Sequence, residues 1–459
     1  MRIAHIADLH VTDGPRLGDH EETLRGIVED AIEAGVDLWI LAGDLYGREV
    51  PHRSTPKERG VLYAQVVRMA RTAPVVVCYG NHDFDPDLDT MELLDGDFPI
   101  RVVKRPEVLR VATAAGACNV YVLPYPTKRW LLTQENAPKG LVAAQEAANA
   151  NLGGILAGWG QRIRDGRAEA PSEPHVLVAH LQVSGSATAG GEVLAGNEIE
   201  VSAAQLEELG ADYGALGHIH LRQEVALRCW YPGSPWRNDF SEIDAKGWHL
   251  VKTDDRKAWV AGNDRPLKPE LHVYPAMGER LWVSVEHRLS ACRSFVTLDY
   301  RWAEAEEDGA PGWTERPEEE ELEGVNGAEV RMRLSVPEQW VAGCPWDQVV
   351  ASVRARGAHR IVEERRIEPT LRVRAPAVAA AIDIPSKVEA FWGVLATPPS
   401  VAEREAAMAC LDELLTTSDD VIAENSRTVI GAGLANSKPP VVPALSPPRG
   451  KAEKDTSPF

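Results

Sequence analysis

Seven side chains of the kinds that bind divalent cations stand in five short blocks along this chain of 459 residues. They are Asp8, His10, Asp44, Asn81, His180, His218 and His220. Four of the five blocks follow an apolar run that predicts a buried strand, at residues 2–7, 37–42, 75–79 and 175–179. Because ligands of open α/β sheets gather at the carboxyl ends of the strands, we expect these distant blocks to converge.

The residue types suit the hydrolysis of a phosphodiester bond. That reaction needs a hydroxide, charge stabilisation on the non-bridging oxygens and in-line alignment, and two divalent cations roughly 3.5–4 Å apart supply all three. Carboxylates, imidazoles and an amide without cysteine suit manganese, iron or zinc better than calcium or a structural zinc. Asp44 follows Gly43, where backbone and metal can approach closely, so it is the candidate bridging ligand. Each block alone is more often a helix cap or turn, and only the ordered set favours a metal site.

In full, the blocks read Asp8-Leu9-His10, Gly43-Asp44-Leu45-Tyr46, Gly80-Asn81-His82-Asp83, Ala179-His180 and Gly217-His218-Ile219-His220. In this order they resemble the calcineurin-like metallophosphoesterase superfamily. Residues 212–216 before the last block, with 231–235 and 240–242 after it, narrow the resemblance to the SbcD-type DNA repair exonucleases. These motifs cover about residues 1–250. Beyond them the resemblance is architectural.

The resemblance implies a role for each block. One metal would be held by Asp8, His10, Asp44 and His220, and the other by Asp44, Asn81, His180 and His218. The catalytic residue His82 would stay free of metal and position the scissile phosphate or protonate the leaving oxygen, with Asp83 fixing its tautomer. Some relatives carry a further active-site histidine directly after the Gly-Asp block. The nearest here is His52, for which we prefer a solvated loop position.

Length and composition indicate a multidomain enzyme without a membrane segment. A chain of 459 residues exceeds the size at which one core usually stops growing. No apolar run approaches the roughly 20 residues of a membrane span, and the N-terminus enters a strand without a signal peptide. The six cysteines are scattered, with no pair at metal-ligand spacing. We therefore expect reduced thiols and a cytoplasmic protein.

The net charge of −20 is unevenly distributed. Residues 304–329 carry eleven acidic side chains against one arginine, which predicts a solvated acidic loop or insertion. The following segment reverses the sign through Arg331, Arg333, Arg354, Arg356, Arg360, Arg365, Arg366, Arg372 and Arg374. Guanidinium groups on neighbouring strands suit phosphate contacts, and a surface of mixed charge explains the pattern equally well.

The predicted fold class is α/β, a two-sheet metallophosphoesterase sandwich flanked by helices. We expect the nuclease domain to span residues 1–265 and a small α/β domain with the acidic insertion to span 266–378, where the resemblance implies a cap that contacts DNA. We expect a helix-loop-helix at 379–425, where Ser400 with Glu403 predicts a capping box, and the resemblance implies that it binds an ATPase partner. Residues 426–459, rich in Pro, Ser and Lys, predict a disordered tail.

Together these features predict a metal-dependent DNA nuclease with two divalent ions, most consistent with Mn²⁺. The resemblance implies exonuclease activity on duplex ends and endonuclease activity on single strands or hairpins. It also implies a homodimer and an SbcC-like ATPase of the SMC class, since the chain has no nucleotide-binding motif. The alternative enzyme is a phosphodiesterase or phosphatase acting on small molecules or phosphoproteins. A third alternative is a scaffold with a vestigial site, and the complete ligand set argues against it.

Overall fold

The computed structural model describes residues 1–47, 54–83, 85–132, 138, 140–188, 199–253, 270–275, 280–304, 310–369, 376–395 and 398–416. His52, the boundary between residues 265 and 266 and the segment 426–459 lie outside these residues. The chain divides into two compact units, Met1–Glu368 and Pro369–Phe459.

The described strands are, in chain order, β1 (Arg2–Ile6), β2 (Leu38–Leu41), β3 (Val75–Cys78), β4 (Ile100–Val103), β5 (Glu107–Thr113), β6 (Gly116–Leu123), β7 (His175–His180), β8 (Gln182–Val183), β9 (Glu200–Val201), β10 (Tyr213–Gly217), β11 (Gln223–Ala226), β12 (Cys229–Tyr231), β13 (Gly247–Thr253), β14 (Leu271–Tyr274), β15 (Val283–Leu289), β16 (Phe295–Glu304), β17 (Pro311–Glu315), β18 (Glu329–Pro337) and β19 (Arg360–Glu368).

The described α-helices are α1 (Leu17–Glu33), α2 (Pro56–Ala70), α3 (Asp85–Asp89), α4 (Lys128–Leu131), α5 (Leu141–Glu169), α6 (Ala203–Leu209), α7 (Glu319–Glu323), α8 (Trp346–Ala355), α9 (Pro376–Ala380), α10 (Ile384–Val394) and α11 (Val401–Thr416). Two short 3₁₀ helices span Thr90–Leu93 and Glu338–Gly343. No helix among the described residues has the length and apolarity needed to cross a bilayer.

Two large sheets form the first unit. The first has seven strands in the order β14-β15-β13-β1-β2-β3-β4, and the second has six in the order β11-β12-β10-β7-β6-β5. Strands β1 to β4 run parallel in the first sheet, as do β6, β7, β10 and β12 in the second. The carboxyl ends of these parallel strands are therefore available to form one site.

Apolar side chains fill the space between the two sheets. Ile3, Ile40 and Val76 of the first sheet belong to one buried cluster with Val120 and Val178 of the second. Helices α1 and α2 cover the outer face of the first sheet, and α5 and α6 cover that of the second. Because these strands are buried on both faces, they are seen in the sequence as unbroken apolar runs. The predicted sandwich flanked by helices is confirmed.

A row of buried histidines crosses the first sheet. His5 on β1 pairs in register with His249 on β13, which pairs with His287 on β15. The hydroxyl of Tyr213, from the second sheet, lies 2.8 Å from His5 Nδ1 and 3.2 Å from His249 Nδ1. This row therefore places polar contacts inside the apolar layer that joins the sheets.

A smaller module follows the sandwich in the chain. Its sheet has the order β17-β16-β18-β19, with β16, β18 and β19 parallel. Leu298 and Met332 of this sheet pack with Val350 and Val353 of α8. The predicted strand, helix and strand of this region correspond to β18, α8 and β19.

The acidic segment 304–329, predicted as a solvated loop or insertion, contains regular secondary structure. Its described part contains β17 and α7, and Trp313 packs edge-on against Trp302 at 5.0 Å between ring centroids. Its last carboxylate, Glu329, is only 1% exposed because Arg16 and Arg360 lie beside it. Aromatic packing and ion pairing therefore order this segment, while its other described acidic side chains are exposed, as a solvated segment requires.

The second unit contains the C-terminal helices α9 to α11. Trp392 on α10 is buried, and the guanidinium carbon of Arg404 on α11 lies 5.7 Å from the centroid of its ring. At the start of α11, Ser400 N–H donates to Glu403 at 2.8 Å, and Glu403 N–H donates to the Ser400 hydroxyl. The predicted helix pair and capping box are therefore present.

Candidate metal centre

The seven candidate ligands follow strands of both large sheets. Asp8, Asp44 and Asn81 lie just beyond β1, β2 and β3, whereas His180 ends β7 and His218 follows β10. The backbone also joins the loops, since Asp8 N–H donates to Gly43 O at 3.1 Å and His10 N–H donates to Asp44 O at 2.9 Å. The topology thus brings together residues that are more than 200 positions apart in the sequence.

The backbone is strained at this edge. Five non-glycine residues of the described chain have positive φ, and four of them are Asp8, His10, Asp44 and His218. Such conformations are costly and cluster at functional sites, where the surrounding structure maintains them. The clustering of these four residues indicates that the placement of the candidate ligands is maintained despite an energetic cost in the local backbone.

Two glycines permit the close approach of the loops. Gly43 has a φ of 93°, and a Cβ atom there would collide with the His180 ring. A Cβ atom at Gly80 would collide with the Asp44 carboxylate. Larger residues at these positions would therefore push apart the segments that carry the candidate ligands.

The first group of ligands surrounds Asp8. His218 N–H donates to Asp8 Oδ1 at 2.8 Å, whereas the buried Asp8 Oδ2 has no hydrogen-bond partner among the described residues. Ligand atoms of Asp8, His10 and His220 all lie within 4.8 Å of one another. His10 Nε2 is 2.9 Å from His220 Nε2, so two ring nitrogens face each other beside an unpartnered carboxylate oxygen.

The second group of ligands surrounds Asn81. Its Oδ1 lies 3.0 Å from His180 Nε2 and 3.1 Å from His218 Nδ1. Asp44 Oδ2 is 3.3 Å from His180 Nε2 and 3.6 Å from His10 Nε2. Asp44 therefore contacts both groups, which is the position that a bridging carboxylate requires.

The hydrogen bonds at Nδ1 of His180 and His220 indicate the protonation of Nε2, the ring nitrogen that faces the cluster. His180 Nδ1 lies 2.8 Å from the Ala42 carbonyl oxygen, and His220 Nδ1 lies 2.8 Å from Glu242 Oε1. Because both oxygens only accept, each Nδ1 carries a proton, and each ring in its neutral form would direct the Nε2 lone pair inward. Lone pairs that face other acceptors need a cation between them, so the donor set fits a pair of divalent metals.

Electrostatics within the cluster agree with this description. Burial opposes the charged form of His180, but the adjacent Asp44 carboxylate raises its pKa to about 9. Burial also opposes the charged form of Asp44, but His180 and His10 hold its pKa below the usual range. In the metal-free protein, a proton thus occupies a position that is suited to a cation.

His82 lies at the border between the cluster and solvent. Its backbone N–H donates to Asp44 Oδ1 at 2.9 Å, and its Nε2 is 4.0 Å from Asp44 Oδ2. The side chain is 30% exposed. Its ligand atom also groups with those of His10 and Asp44, so the geometry is compatible with contact to a metal or to a substrate. The exposure of the ring favours the substrate.

The Asp83 carboxylate holds the backbone around Asp44. Its carboxylate accepts hydrogen bonds from the backbone N–H groups of Asp44, Leu45 and Gly80, each at 2.9 Å, and from Tyr46 N–H at 3.3 Å. Burial, reinforced by the charge of Asp44, raises the pKa of Asp83 to about 7. Asp83 therefore anchors the loop that carries Asp44, and its predicted role of orienting His82 stays a prediction.

Glu242 is a positioning residue that the sequence analysis named only within a motif. It is buried, and its Oε1 accepts the Nδ1 proton of His220. Its Oε2 lies 2.8 Å from the fully buried ammonium of Lys246, which also donates to the His220 carbonyl oxygen at 3.1 Å. Carboxylate partners of this kind fix the orientation of a ligating imidazole and raise its basicity.

A cavity of about 530 Å³ opens over the cluster. Its wall includes Asp44, Asn81 and His82 from the sandwich, together with Arg16 and Arg360. Arg16 Nε donates to Glu329 Oε1 at 3.0 Å, and Arg360 lies 3.6 Å from the same oxygen. The strand β19 of the small module thus contributes a cation to the cavity, a contact that no local pattern in the sequence could predict.

Residues 1–222 match the family described as calcineurin-like phosphoesterase. The chain is 27% identical over 269 residues to a subunit of the nuclease SbcCD of Rhodobacter capsulatus, across 53% of this chain and 64% of that protein. It is 33% identical over 103 residues to the DNA double-strand break repair protein Mre11 of Archaeoglobus fulgidus, across 21% of this chain and 22% of that protein. The chain therefore matches less than two thirds of either relative.

Among solved structures, the chain is similar to GAP50, the anchor in the inner membrane complex of Plasmodium. That similarity has a TM-score of 0.32 and 12% identity, and it covers 54% of this chain and 73% of the other. The family and the two curated relatives confirm the resemblance inferred from the motifs.

Proposed function

Residues 1–222 form a calcineurin-like metallophosphoesterase domain, and from this premise we propose that the chain is a metal-dependent nuclease that hydrolyses phosphodiester bonds in DNA. The family hydrolyses phosphoester bonds, so what we propose beyond the family is the identity of the substrate, DNA. Similarity to a component of the SbcCD nuclease and to a DNA double-strand break repair protein supports DNA as the substrate. We propose exonuclease activity on duplex ends and endonuclease activity on single strands or hairpins.

The observation that carries the proposal is the convergence of hydrogen-bond acceptors around Asp44. Asp8, His10, Asp44 and His220 would hold one cation, and Asp44, Asn81, His180 and His218 would hold the second. When bound, two such cations supply positive charge to phosphate oxygens and activate water at neutral pH. Manganese is the proposed metal, because the set mixes oxygen and imidazole ligands without cysteine.

The side chains around the cations have separate proposed tasks. His82 faces the cavity, where it would hold the scissile phosphate and donate a proton to the leaving oxygen. Arg16 and Arg360 would bind phosphate oxygens, since a guanidinium group offers donors in a geometry that matches them. Glu242 would keep His220 in one tautomer and orientation.

The partner proposals rest on the relatives and on the second unit. The relative from Rhodobacter is one component of a larger nuclease, and we propose an SbcC-like ATPase and a second copy of this chain as partners. On α10 and α11, Ile384, Phe391 and Val401 are at least half exposed. Apolar side chains exposed on a helix pair suit binding to another helical protein.

The deciding experiment uses purified, EDTA-treated protein to which Mn²⁺ is returned. Its substrates are end-labelled duplex DNA, a DNA hairpin and bis-para-nitrophenyl phosphate. We expect Mn²⁺-dependent cleavage of all three. Hydrolysis of the small diester without cleavage of either DNA would favour the small-molecule phosphodiesterase. If the metal-loaded protein hydrolyses none of the three substrates, only the alternative of a scaffold with a vestigial site would remain.

A further inference from the structure

A second cavity, of about 420 Å³, shares Asn81 with the cavity over the candidate metal centre. Its lining combines cationic and aromatic side chains, and those that matter here are Lys104, Arg105, Arg129, Tyr125 and Trp130. These residues come from the loops that follow β4 and β6 and from α4. The cavity is therefore formed by the same end of the sandwich as the candidate ligands.

Two of the three cations are available to an anionic ligand. Lys104 is bonded to Asp89, and its ammonium lies 5.6 Å from the centroid of the Tyr79 ring. By contrast, Arg105 and Arg129 are exposed and make no ion pair or hydrogen bond with the described residues. Two guanidinium groups beside one cavity, both without a counter-ion there, suit the oxygens of phosphate groups.

The aromatic side chains offer ring faces in fixed positions. The indole N–H of Trp130 donates to the Tyr125 carbonyl oxygen at 3.2 Å, and Tyr125 N–H donates to Tyr79 O at 3.0 Å. The Tyr125 ring lies 5.5 Å from the ring of His218, measured between centroids. Tyr125 thus connects the second cavity directly to a candidate metal ligand, and aromatic faces of this kind stack with nucleobases of any sequence.

We propose that this second cavity binds the single-stranded segment of DNA adjacent to the scissile phosphate. Arg105 and Arg129 bind its phosphates, and Trp130 and Tyr125 pack against a base. A strand that crosses Asn81 occupies both cavities and places one phosphodiester at the metal centre beneath the first. This inference rests on the proposed function, because it requires a polynucleotide substrate.

The first test measures binding without catalysis. Fluorescence anisotropy with a labelled single-stranded oligothymidine in EDTA compares the full-length protein with the Arg105→Ala/Arg129→Ala variant. We expect at least about a 10-fold loss of affinity. The slope of log affinity against log salt should also become shallower by about 1.4, since each phosphate contact on a single strand contributes about 0.7. Trp130→Ala should weaken binding by about 10-fold through lost stacking.

The matched control is Arg101→Ala/Arg110→Ala. It removes the same charge from exposed arginines on β4 and β5 that line neither cavity. We expect this control to bind the oligonucleotide nearly as well as the unaltered protein. An equal loss of oligonucleotide affinity in the two double variants would show that only net charge matters and would overturn the proposal. Unchanged affinity in both variants would overturn it as well.

The second test separates this inference from the proposed function. In Mn²⁺, the Arg105→Ala/Arg129→Ala variant should hydrolyse bis-para-nitrophenyl phosphate at the normal rate, because that diester reaches only the metal centre. Its kcat/KM for the oligonucleotide should fall at least about 10-fold. A parallel loss on both substrates would overturn the subsite. If the unaltered protein cleaves no DNA but its oligonucleotide binding still depends on the two arginines, the proposed function fails and the subsite stands.

Discussion

At the scale of single residues, Asp44 is the position on which both candidate ligand groups depend. Its Oδ2 lies within 3.6 Å of ring nitrogens from each group, and its backbone is held by Asp83. Removing one carboxylate at a bridging position exposes both cations to each other's charge and deletes a ligand from each. Asp44 should therefore matter more than any ligand that serves one metal.

We predict that Asp44→Ala abolishes Mn²⁺-dependent hydrolysis and lowers the occupancy of both metals. Elemental analysis of the dialysed protein measures occupancy, and bis-para-nitrophenyl phosphate reports activity. Asp299→Ala is a suitable control, because Asp299 is an exposed partner of Arg333 in the small module. An Asp44→Ala protein that keeps most of its hydrolysis would contradict the bridging assignment.

The role of His82 is separable from metal binding. We predict that His82→Ala keeps near-native metal content and loses roughly 100-fold or more in turnover, the usual scale for a positioned acid-base group. Metal analysis and single-turnover kinetics on the same preparation check both parts. Loss of metal in proportion to activity would instead make His82 a ligand, as its proximity to His10 and Asp44 allows.

Glu242 tests whether positioning residues control the metal centre. Glu242→Gln keeps the side-chain volume but removes the negative charge that fixes His220, so metal affinity should fall by about 10- to 100-fold. Competition with a chelator measures the affinity. Since the buried Lys246 also loses a partner, the Glu242→Gln/Lys246→Met double variant checks that the loss does not arise from an unpaired ammonium. Unchanged affinity in both variants would count against the positioning role.

At the scale of elements, the histidine row couples the sandwich to pH. Burial lowers the pKa of His5 to about 3 and that of His287 to about 4, and it holds the pKa of His249 well below its ordinary value. The unfolded chain takes up protons below about pH 6.5, whereas the folded chain does not until its lower pKa values are reached. Stability should therefore fall as the pH drops from about 6.5 to about 4.

The expected slope is at most about 1.4 kcal/mol per pH unit for each buried histidine. Urea unfolding in EDTA, followed at several pH values between 7.5 and 4.5, measures it. The His287→Gln variant should show a shallower dependence than the unaltered protein, since one of the three buried rings no longer titrates. The same pH dependence in both proteins would show that other groups cause the acid sensitivity.

The elements also explain which parts of the site were predictable. Apolar runs predicted the strands, and the polar residues shortly after these runs predicted the ligand positions, because the carboxyl ends of parallel strands lie at one edge of each sheet. The hydrogen bonds that Asp83 accepts from Asp44, Leu45 and Tyr46 were not predictable, because these three donors lie almost 40 residues earlier in the chain. The burial of Glu329 was equally hidden, since its partner Arg16 lies 313 residues away.

At the scale of the whole molecule, the division into two compact units allows the second unit to be deleted as a test. We predict that deleting residues 369–459 leaves a folded, metal-binding unit that cleaves short single strands but no longer co-purifies with the proposed ATPase partner. The reason is that the exposed apolar side chains of α10 and α11 would be lost while the metal centre keeps every candidate ligand. Co-expression pull-down and circular dichroism check the two halves. Undiminished ATPase binding would place the interface in the first unit.

The wall of the cavity over the metal centre has a consequence for biosynthesis. Because translation proceeds from the N-terminus, all seven candidate ligands are synthesised before Glu329 and Arg360. A nascent chain thus contains the whole set of candidate ligands while part of the cavity wall has yet to be synthesised. Arg360 can join the cavity wall only after β19 has been synthesised and paired with β18. The order of translation thus separates the synthesis of the candidate ligands from that of the last cavity strand.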